Sequence, residues 1–377
     1  MGRAGTYIKQ PTGYRAFIPN PLPPDPPIVM SSRLQQLLSD ADQALGRLDG
    51  SIETLPHAEV LVRMYVRKEA VLSSQIEGTQ STLSDLLAAE ADVLDPDRPR
   101  DTKEVMNYVA AMNHGLARLD ELPISGRLIR DIHAVLMEGV RGGDKQPGQF
   151  RTSQNWIGAP GSTISTADFI PPPPNEVLPA ISDLEHFLHE DTTLPHLVKV
   201  GLAHVQFETI HPFLDGNGRV GRLLITFLLR ENRTLKKPTL YISHYFRRNQ
   251  SAYYRALQAV HEMGDWEGWL AFFLEGVRIV AEEARDTAAK ILQMREEHRT
   301  RIQSTFGRTA ANGLEVLETL YRKPFIDVNE IAALTGTRYR AANDLTERFV
   351  EAGILREVTG NRRNRRFAYE PYIGLFG

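Results

Sequence analysis

Twelve consecutive residues hold a dense group of chemistry-bearing side chains: His211-Pro-Phe-Leu-Asp215-Gly-Asn217-Gly-Arg219-Val-Gly-Arg222. Histidine has a pKa suited to taking a proton from a hydroxyl near neutral pH. Asp215 is a hard oxygen ligand of the kind that Mg²⁺ on a nucleotide requires. Asn217 offers an amide donor to a phosphoryl oxygen. Arg219 and Arg222 put two planar cations three residues apart, on a shared face of the following helix. A helix starting near Gly218 would add free backbone N–H groups and the positive end of its dipole. Base, carboxylate, anion donors and cationic clamp are the parts of an in-line displacement site at phosphorus. Any one of these residues alone has ordinary structural uses. Six compatible groups within twelve positions favour a shared site.

The same stretch contains Gly216-x-Gly218-x-x-Gly221, the spacing of a dinucleotide-binding turn. That turn needs a buried strand before it and a βαβ unit around it. Here the preceding residues, Leu197 to Ile210, are apolar on nearly all sides and read as a buried central helix. The dinucleotide reading is therefore rejected.

The surrounding pattern is helical. Apolar residues at three- and four-residue steps predict helices from Ser31, over about 57–75, and near 81–94, 101–119, 125–139, 175–190 and 195–210. Further helices are predicted over about 219–231, 247–263, 265–285 and 287–303. Residues 1–30 are rich in proline and read as an extended arm, lying on the protein or free. Glycines and the run Pro171–Pro174 break the helical rhythm over 141–175. Short β-type runs there, Gln154–Ile157 and Thr163–Ile170, predict a small hairpin. From about 309, three short helical segments (310–322, 328–334, 338–351) precede a hairpin-like stretch through Phe367 and Tyr369. That is the order of a winged helix-turn-helix.

The 377 residues, 42% hydrophobic and 24% charged, exclude wholesale disorder and suit two or three domains. The absence of cysteine excludes a disulfide framework, a thiolate metal site and a cysteine nucleophile. The net charge of −3 creates no global attraction for nucleic acid or membrane, leaving only local basic patches. No apolar stretch approaches the roughly 18 residues of a membrane span, and no secretory leader is visible. A cytoplasmic protein is expected. His186, His189 and His261-Glu262 show no metal-site spacing and read as surface or capping residues.

The twelve residues resemble the signature of the Fic (filamentation induced by cAMP) family, H-x-F-x-[DE]-G-N-G-R-x-x-R, at every fixed position. The resemblance implies a mainly α fold: a helical core with a β-hairpin flap, here with the C-terminal winged helix-turn-helix domain appended. The expected divisions are 1–54 (arm and helix), 55–305 (catalytic domain with an inhibitory helix at about 57–78) and 306–377 (winged helix). It implies transfer of AMP from ATP to a Ser, Thr or Tyr hydroxyl of a target protein or of the chain itself, with release of pyrophosphate. His211 would be the general base, Asp215 the Mg²⁺ ligand and Phe213 the anchor of the loop. Asn217 and the Gly216–Gly218 backbone would contact the α- and β-phosphates. Arg219 would bind the β-phosphate and Arg222 the γ-phosphate, with Val220 and Gly221 between them in the ATP site.

A second segment, Ser73-Ser-Gln-Ile-Glu77-Gly78, resembles the family's inhibitory motif [ST]-x-x-x-E-[GN]. The resemblance implies that Glu77 pairs with Arg222 and denies the γ-phosphate its seat, two anions competing for one guanidinium. In some relatives the same glutamate supports AMP removal. The hairpin over 150–172 fits the family's flap, where a target segment lies along a strand edge. Gln154, Trp156, Ile157 and Ile164 would line it, though Trp156 equally suits ordinary packing. Tyr253 and Tyr254 match a tyrosine pair near the adenine pocket, and packing of one of them in the core is also expected.

Two alternatives stand beside this reading. One is transfer of another phosphate-containing group, such as UMP or phosphocholine. The other is a DNA-binding winged-helix regulator that uses ATP as a ligand. The C-terminal arginines (Arg338, Arg340, Arg348, Arg362, Arg363, Arg365, Arg366) suit duplex phosphates, but Asp344, Glu347, Glu351 and Glu357 are interleaved. Exposed apolar residues suggest a homodimer; no repeat requires one.

Overall fold

The computed structural model describes residues 2–53, 58–91, 99–159, 161–190, 192–360 and 364–376. The chain opens with an antiparallel hairpin, β1 (Gly5–Lys9) and β2 (Arg15–Pro19), with Tyr7 opposite Phe17. This corrects the expectation of an extended arm throughout 1–30. The proline run begins only where β2 ends, which leaves the residues before it free to pair as strands. The proline segment itself lies on the protein. Arg3 donates to the carbonyls of Pro26 and Pro27 and pairs with Glu267 at 2.6 Å, and Glu267 also accepts the Val29 amide.

Helices follow in the expected order: α1 (Ser32–Glu53), α2 (Ala58–Ile76), α3 (Leu83–Glu90), α4 (Thr102–Arg118), α5 (Gly126–Leu136), α6 (Pro174–His189), α7 (His196–Ile210), α8 (Asn217–Glu231), α9 (Ser243–Arg248), α10 (Gln250–Met263) and α11 (Trp266–Thr305). Two of these differ from expectation. The stretch predicted as one helix over 247–263 divides at Asn249. The two predicted over 265–285 and 287–303 form the single 40-residue α11. Arg285-Asp286-Thr287 contains neither glycine nor proline, so nothing breaks the hydrogen-bond ladder there. Helix α11 packs along α1, and both bury small residues, Ala281, Ala284 and Ala288 on α11 and Ala41 and Ala44 on α1.

Helix α7 is buried from Leu197 onward except at Lys199, as its all-round apolar sequence requires. It packs on α8, α6 and α11, so the short connection 211–216 leaves the centre of the core and turns straight into α8. The predicted hairpin over 154–170 is not formed. A single bridge, Ile157 to Phe169, is all the pairing found there among the described residues. The β2 strand continues this connection, since the Phe17 amide donates to the Ile170 carbonyl at 2.9 Å.

The last segment comprises α12 (Ala310–Arg322), β3 (Phe325–Asp327), α13 (Val328–Thr335), α14 (Tyr339–Glu351), β4 (Arg356–Glu357), β5 (Arg366–Ala368) and α15 (Glu370–Ile373). The strands form an antiparallel sheet in the order β3–β5–β4. Strand β3 and helix α15 were not anticipated. Asp327 caps α13 in a reciprocal box with Glu330, which fixes where β3 gives way to helix. Tyr321, Tyr369, Tyr372 and Phe376 form an aromatic cluster that reaches Tyr65 of α2, with the Phe376 and Tyr65 rings 5.7 Å apart.

Candidate active site

His211 terminates α7 in the left-handed region, at φ 48°. A non-glycine residue rarely adopts this conformation unless its surroundings hold it. Two side chains do so. Arg151, itself buried, donates to the carbonyls of His211 (2.9 Å), Ile210 (3.3 Å) and Pro172 (2.6 Å), and its own amide donates to the Pro212 carbonyl (2.9 Å). Asn155 donates to the carbonyls of His211 (3.2 Å) and Phe213 (2.8 Å). Together they satisfy carbonyls freed where the helix ends.

Phe213 is fully buried and stacks on His133, with centroids 3.7 Å apart and planes 4° from parallel. The Gly148 amide donates to His133 Nδ1 at 2.9 Å, so the ring proton lies on Nε2, which donates to the Asp215 carbonyl at 3.0 Å. Gly216 adopts φ 77°, and a Cβ there would lie 2.9 Å from Met137 Sδ. The Asn217 amide closes the turn. Its Oδ1 accepts from the Phe213 amide at 2.7 Å and its Nδ2 donates to the Phe213 carbonyl at 2.8 Å. The donor expected to face phosphate is thus engaged in shaping the loop.

Helix α8 begins at Asn217, and both arginines of its first turns are buried. Arg219 lies 3.4 Å from Glu104 and 3.7 Å from Asp215, and its Nε has no partner. Arg222 donates from Nε to Ser73 Oγ at 2.8 Å, and from Nη2 to the Ser73 carbonyl at 3.1 Å and to Glu77 Oε1 at 2.6 Å. That carboxylate oxygen sits over the start of α8, since a Cβ on Gly218 would lie 2.3 Å from it. An anion of the protein's own thus occupies the anion seat of helix and guanidinium. Burial works against ionisation of Glu77, but Arg222 outweighs it, helped by Arg219 and His211, and holds the carboxyl below its ordinary pKa. Burial, reinforced by the charge of Arg151, pushes His211 down to about 4, so the ring is neutral at pH 7 and free to accept a proton.

These groups open into a cleft of about 640 Å³. Glu77, Trp156, Ile157, His211, Asp215, Gly216, Asn217, Gly218, Arg222, Tyr253 and Tyr254 line it, so the structure gathers most of the predicted site. Tyr254 is 47% exposed at its edge, whereas Tyr253 is buried and donates its hydroxyl to His204 Nε2 at 2.9 Å. Ser73, Arg219, Val220 and Gly221 lie behind the lining, and Gly78 follows the end of α2 at φ 95°. Gln154 and Ile164 stand outside the cleft lining. Gln154 donates to the carbonyls of Asn155 and Pro171 and accepts from the Tyr14 hydroxyl. With no hairpin to present them, the predicted docking residues lie on an irregular loop.

His261 is a further correction. It lines the cleft and stacks on Phe169 at 4.1 Å, and its Nε2 bonds Thr209 Oγ1 at 2.8 Å. Sequence reasoning also missed His133, Arg151, Asn155 and Glu208. Their partners lie tens of residues away along the chain, except for Glu208, where a helical spacing of three from His211 was available as a signal.

Among the described residues no cluster of three or more His, Asp or Glu residues is arranged to hold a metal ion by itself. Asp215 is 31% exposed, with Oδ1 accepting from the Gly216 amide and Oδ2 lying 3.6 Å from Lys145 Nζ.

Two family models match the chain: the Fic/DOC family N-terminal region over 35–117 and the Fic/DOC family over 123–229. The chain belongs to the Fic/DOC family. The second match includes the entire 211–222 loop, and the first includes Ser73 and Glu77. A probable protein adenylyltransferase of Aquifex aeolicus is 38% identical over 99 residues, covering 26% of this chain and 28% of that protein. The protein adenylyltransferase Fic of Drosophila grimshawi is 28% identical over 201 residues, covering 52% of this chain and 37% of the relative. The matches thus span well under half the length of these relatives. A solved Fic family protein from Desulfovibrio desulfuricans shares the fold, with a TM-score of 0.60 at 21% identity, covering 91% of this chain and 97% of that one.

Proposed function

We propose that the protein is an autoinhibited protein adenylyltransferase. His211 takes the proton from a Ser, Thr or Tyr hydroxyl of a target protein or of the chain itself. The hydroxyl oxygen attacks the α-phosphorus of ATP, and pyrophosphate departs. Arg219, Arg222 and the backbone at the start of α8 receive the phosphates. Tyr254 offers an aromatic face at the edge of the cleft for the purine. Asp215 fits a Mg²⁺ ion carried by the nucleotide, because such an ion takes one or two carboxylates with phosphates and water and would offset phosphate charge there.

The observation that carries the reading is the Glu77 carboxylate 2.6 Å from Arg222. It supports both an anion site and its blockade by the chain. In the test, ATP labelled separately at the α- and γ-phosphates is incubated with the Glu77→Gly variant. Retention of α-label on protein, dependent on Mg²⁺ and His211, is expected; retention of γ-label instead would exclude adenylyl transfer.

The order of helices and strands after residue 309 supports a winged-helix unit. Three of its arginines are engaged within the protein. Arg348 donates to the Phe306 carbonyl, Arg365 to Asn343 and Glu347, and Arg366 to Glu330. Arg362 and Arg363 lie outside the described residues. Arg338 and Arg340, at the start of α14, are exposed, so DNA and protein both stand as partners for this unit. Among the described residues, no helix is long and apolar enough to cross a membrane; cytoplasmic residence and a homodimer remain expectations drawn from sequence.

A further inference from the structure

One helical turn before His211, α7 buries a second acid. Glu208 is 7% exposed and lines the cleft, yet its Oε1 has no hydrogen-bond partner. That oxygen is pressed against α8, where a Cβ on Gly221 would lie 2.3 Å from it. The other oxygen, Oε2, lies 4.0 Å from His211 Nδ1. Nδ1 has only a long contact, 3.3 Å, to the Glu208 carbonyl. An imidazole lacking a strong partner on one nitrogen therefore stands beside a carboxyl lacking a donor.

We propose that Glu208 is a positioning residue for His211, its carboxylate pairing with Nδ1–H so that Nε2 is bare toward the substrate. The inference rests on the adenylyltransferase reading. In the transfer step the hydroxyl proton moves to Nε2 as the new O–P bond forms and the bond to pyrophosphate breaks. The Nδ1 proton stays on the ring, and Glu208 stabilises the imidazolium. Hydrogen bonds of this kind are often long in ligand-free sites and tighten in the complex. Rotation of the Glu208 side chain, which no hydrogen bond to Oε1 restrains, closes the gap.

The electrostatics give the pair a purpose. Burial and Arg151 make His211 a weak base, and an adjacent carboxylate reverses that effect. Burial pushes Glu208 itself up to about 7. Arg222 of α8 favours its ionisation, and Glu77 beyond the end of α2 opposes it. Tyr253 and Tyr254 of α10 face the same group, while Asp215 and His261 face His211. Such a dyad titrates as a unit. Withdrawal of Glu77 frees Arg222 and also favours the charged form of Glu208, so relief of inhibition and activation of the base are linked.

The test uses the full chain carrying Glu77→Gly, with and without Glu208→Gln, a change that keeps the side-chain shape. The His211 ring is titrated by ¹⁵N NMR, assigned by difference from His211→Ala, and transfer of α-label is followed from pH 5 to 9. Glu208→Gln should lower the His211 pKa by about one unit. It should also cut kcat roughly 10- to 100-fold with little change in KM for ATP, and remove the rise in rate near pH 7. Glu208→Asp, which restores charge on a shorter arm, should recover part of each effect. Unchanged ring titration and pH profile would overturn the proposal, as would a loss confined to KM for ATP. If the Glu77→Gly parent transfers no α-label, the adenylyltransferase reading falls, while the ring titration still decides the role of Glu208.

Discussion

Two groups of arginines distinguish the cleft from the C-terminal segment. In the cleft, Arg222 is buried but its acidic partner, Glu77, keeps 34% of its side-chain surface exposed. The partner comes from just beyond the end of α2, and the proposed function has a ligand anion take its place. In the C-terminal segment, Arg365 and Arg366 pair with acids of the same small unit, Glu347 and Glu330. Those arginines are themselves partly exposed, at 29% and 22% against 1% for Arg222, and Arg338 and Arg340 at the start of α14 are exposed as well. Arginine density in a sequence therefore says little about binding; what separates the two groups is how deeply the guanidinium is buried and what it pairs with.

If this contrast holds, substitutions in the cleft act on transfer, whereas those in the C-terminal unit act only on local stability. The largest effect belongs to His211→Ala. Loss of the general base should reduce transfer about 10²- to 10⁴-fold, with ATP affinity measured by calorimetry within a few-fold of the parent. Equal loss of affinity would make His211 a binding group instead.

Next is Glu77→Gly. Removing a charge-assisted hydrogen bond to Arg222 should raise transfer roughly 10- to 100-fold, read as initial rate of α-label incorporation. The sign of its pH dependence follows from the depressed pKa of Glu77. Stability from the pair is fully present above the unfolded carboxylate pKa, and is lost as pH falls through the lower folded value. Thermal melts of the parent should therefore show this contribution unchanged between pH 8 and 6 and fading only in acid. A contribution that weakened already between pH 7 and 6 would contradict the assignment.

Arg151→Ala comes third. It strips donors from the Ile210, His211 and Pro172 carbonyls, and should cost about 3 kcal/mol in denaturant melts. The smallest effect is expected of Arg365→Ala. Its pair is partly exposed, so stability should fall by less than about 1 kcal/mol and transfer should stay within twofold. A marked loss of transfer would bring the C-terminal unit into the chemistry and break the contrast.

The legible parts of this molecule are those written at short range. The 211–222 loop carries its base, carboxylate and guanidinium groups within twelve positions, and Ser73 and Glu77 are one helical turn apart. Helix α7 was visible because it is apolar all round. The supports of the loop were not visible: Arg151 and Asn155 bond backbone carbonyls some sixty residues away, and carbonyl partners leave no trace in residue type. The flap failed as a hairpin because β-type residues lie among turn-formers. The segment closes on Gly158, Gly161 and a Thr163–Thr166 turn, and among the described residues the Ile157–Phe169 bridge is the only pairing left. The β1–β2 hairpin was masked by the prolines that follow it.

The central claim is that Glu77 holds the place of a phosphate at Arg222. Crystal structures of the wild-type chain and of Glu77→Gly, each soaked with ATP and Mg²⁺, test it most directly. The account predicts a γ-phosphate against the Arg222 guanidinium in the variant alone, with Glu77 still bonded to Arg222 in the wild type. An identical phosphate path in both, with Glu77 undisturbed, would contradict it.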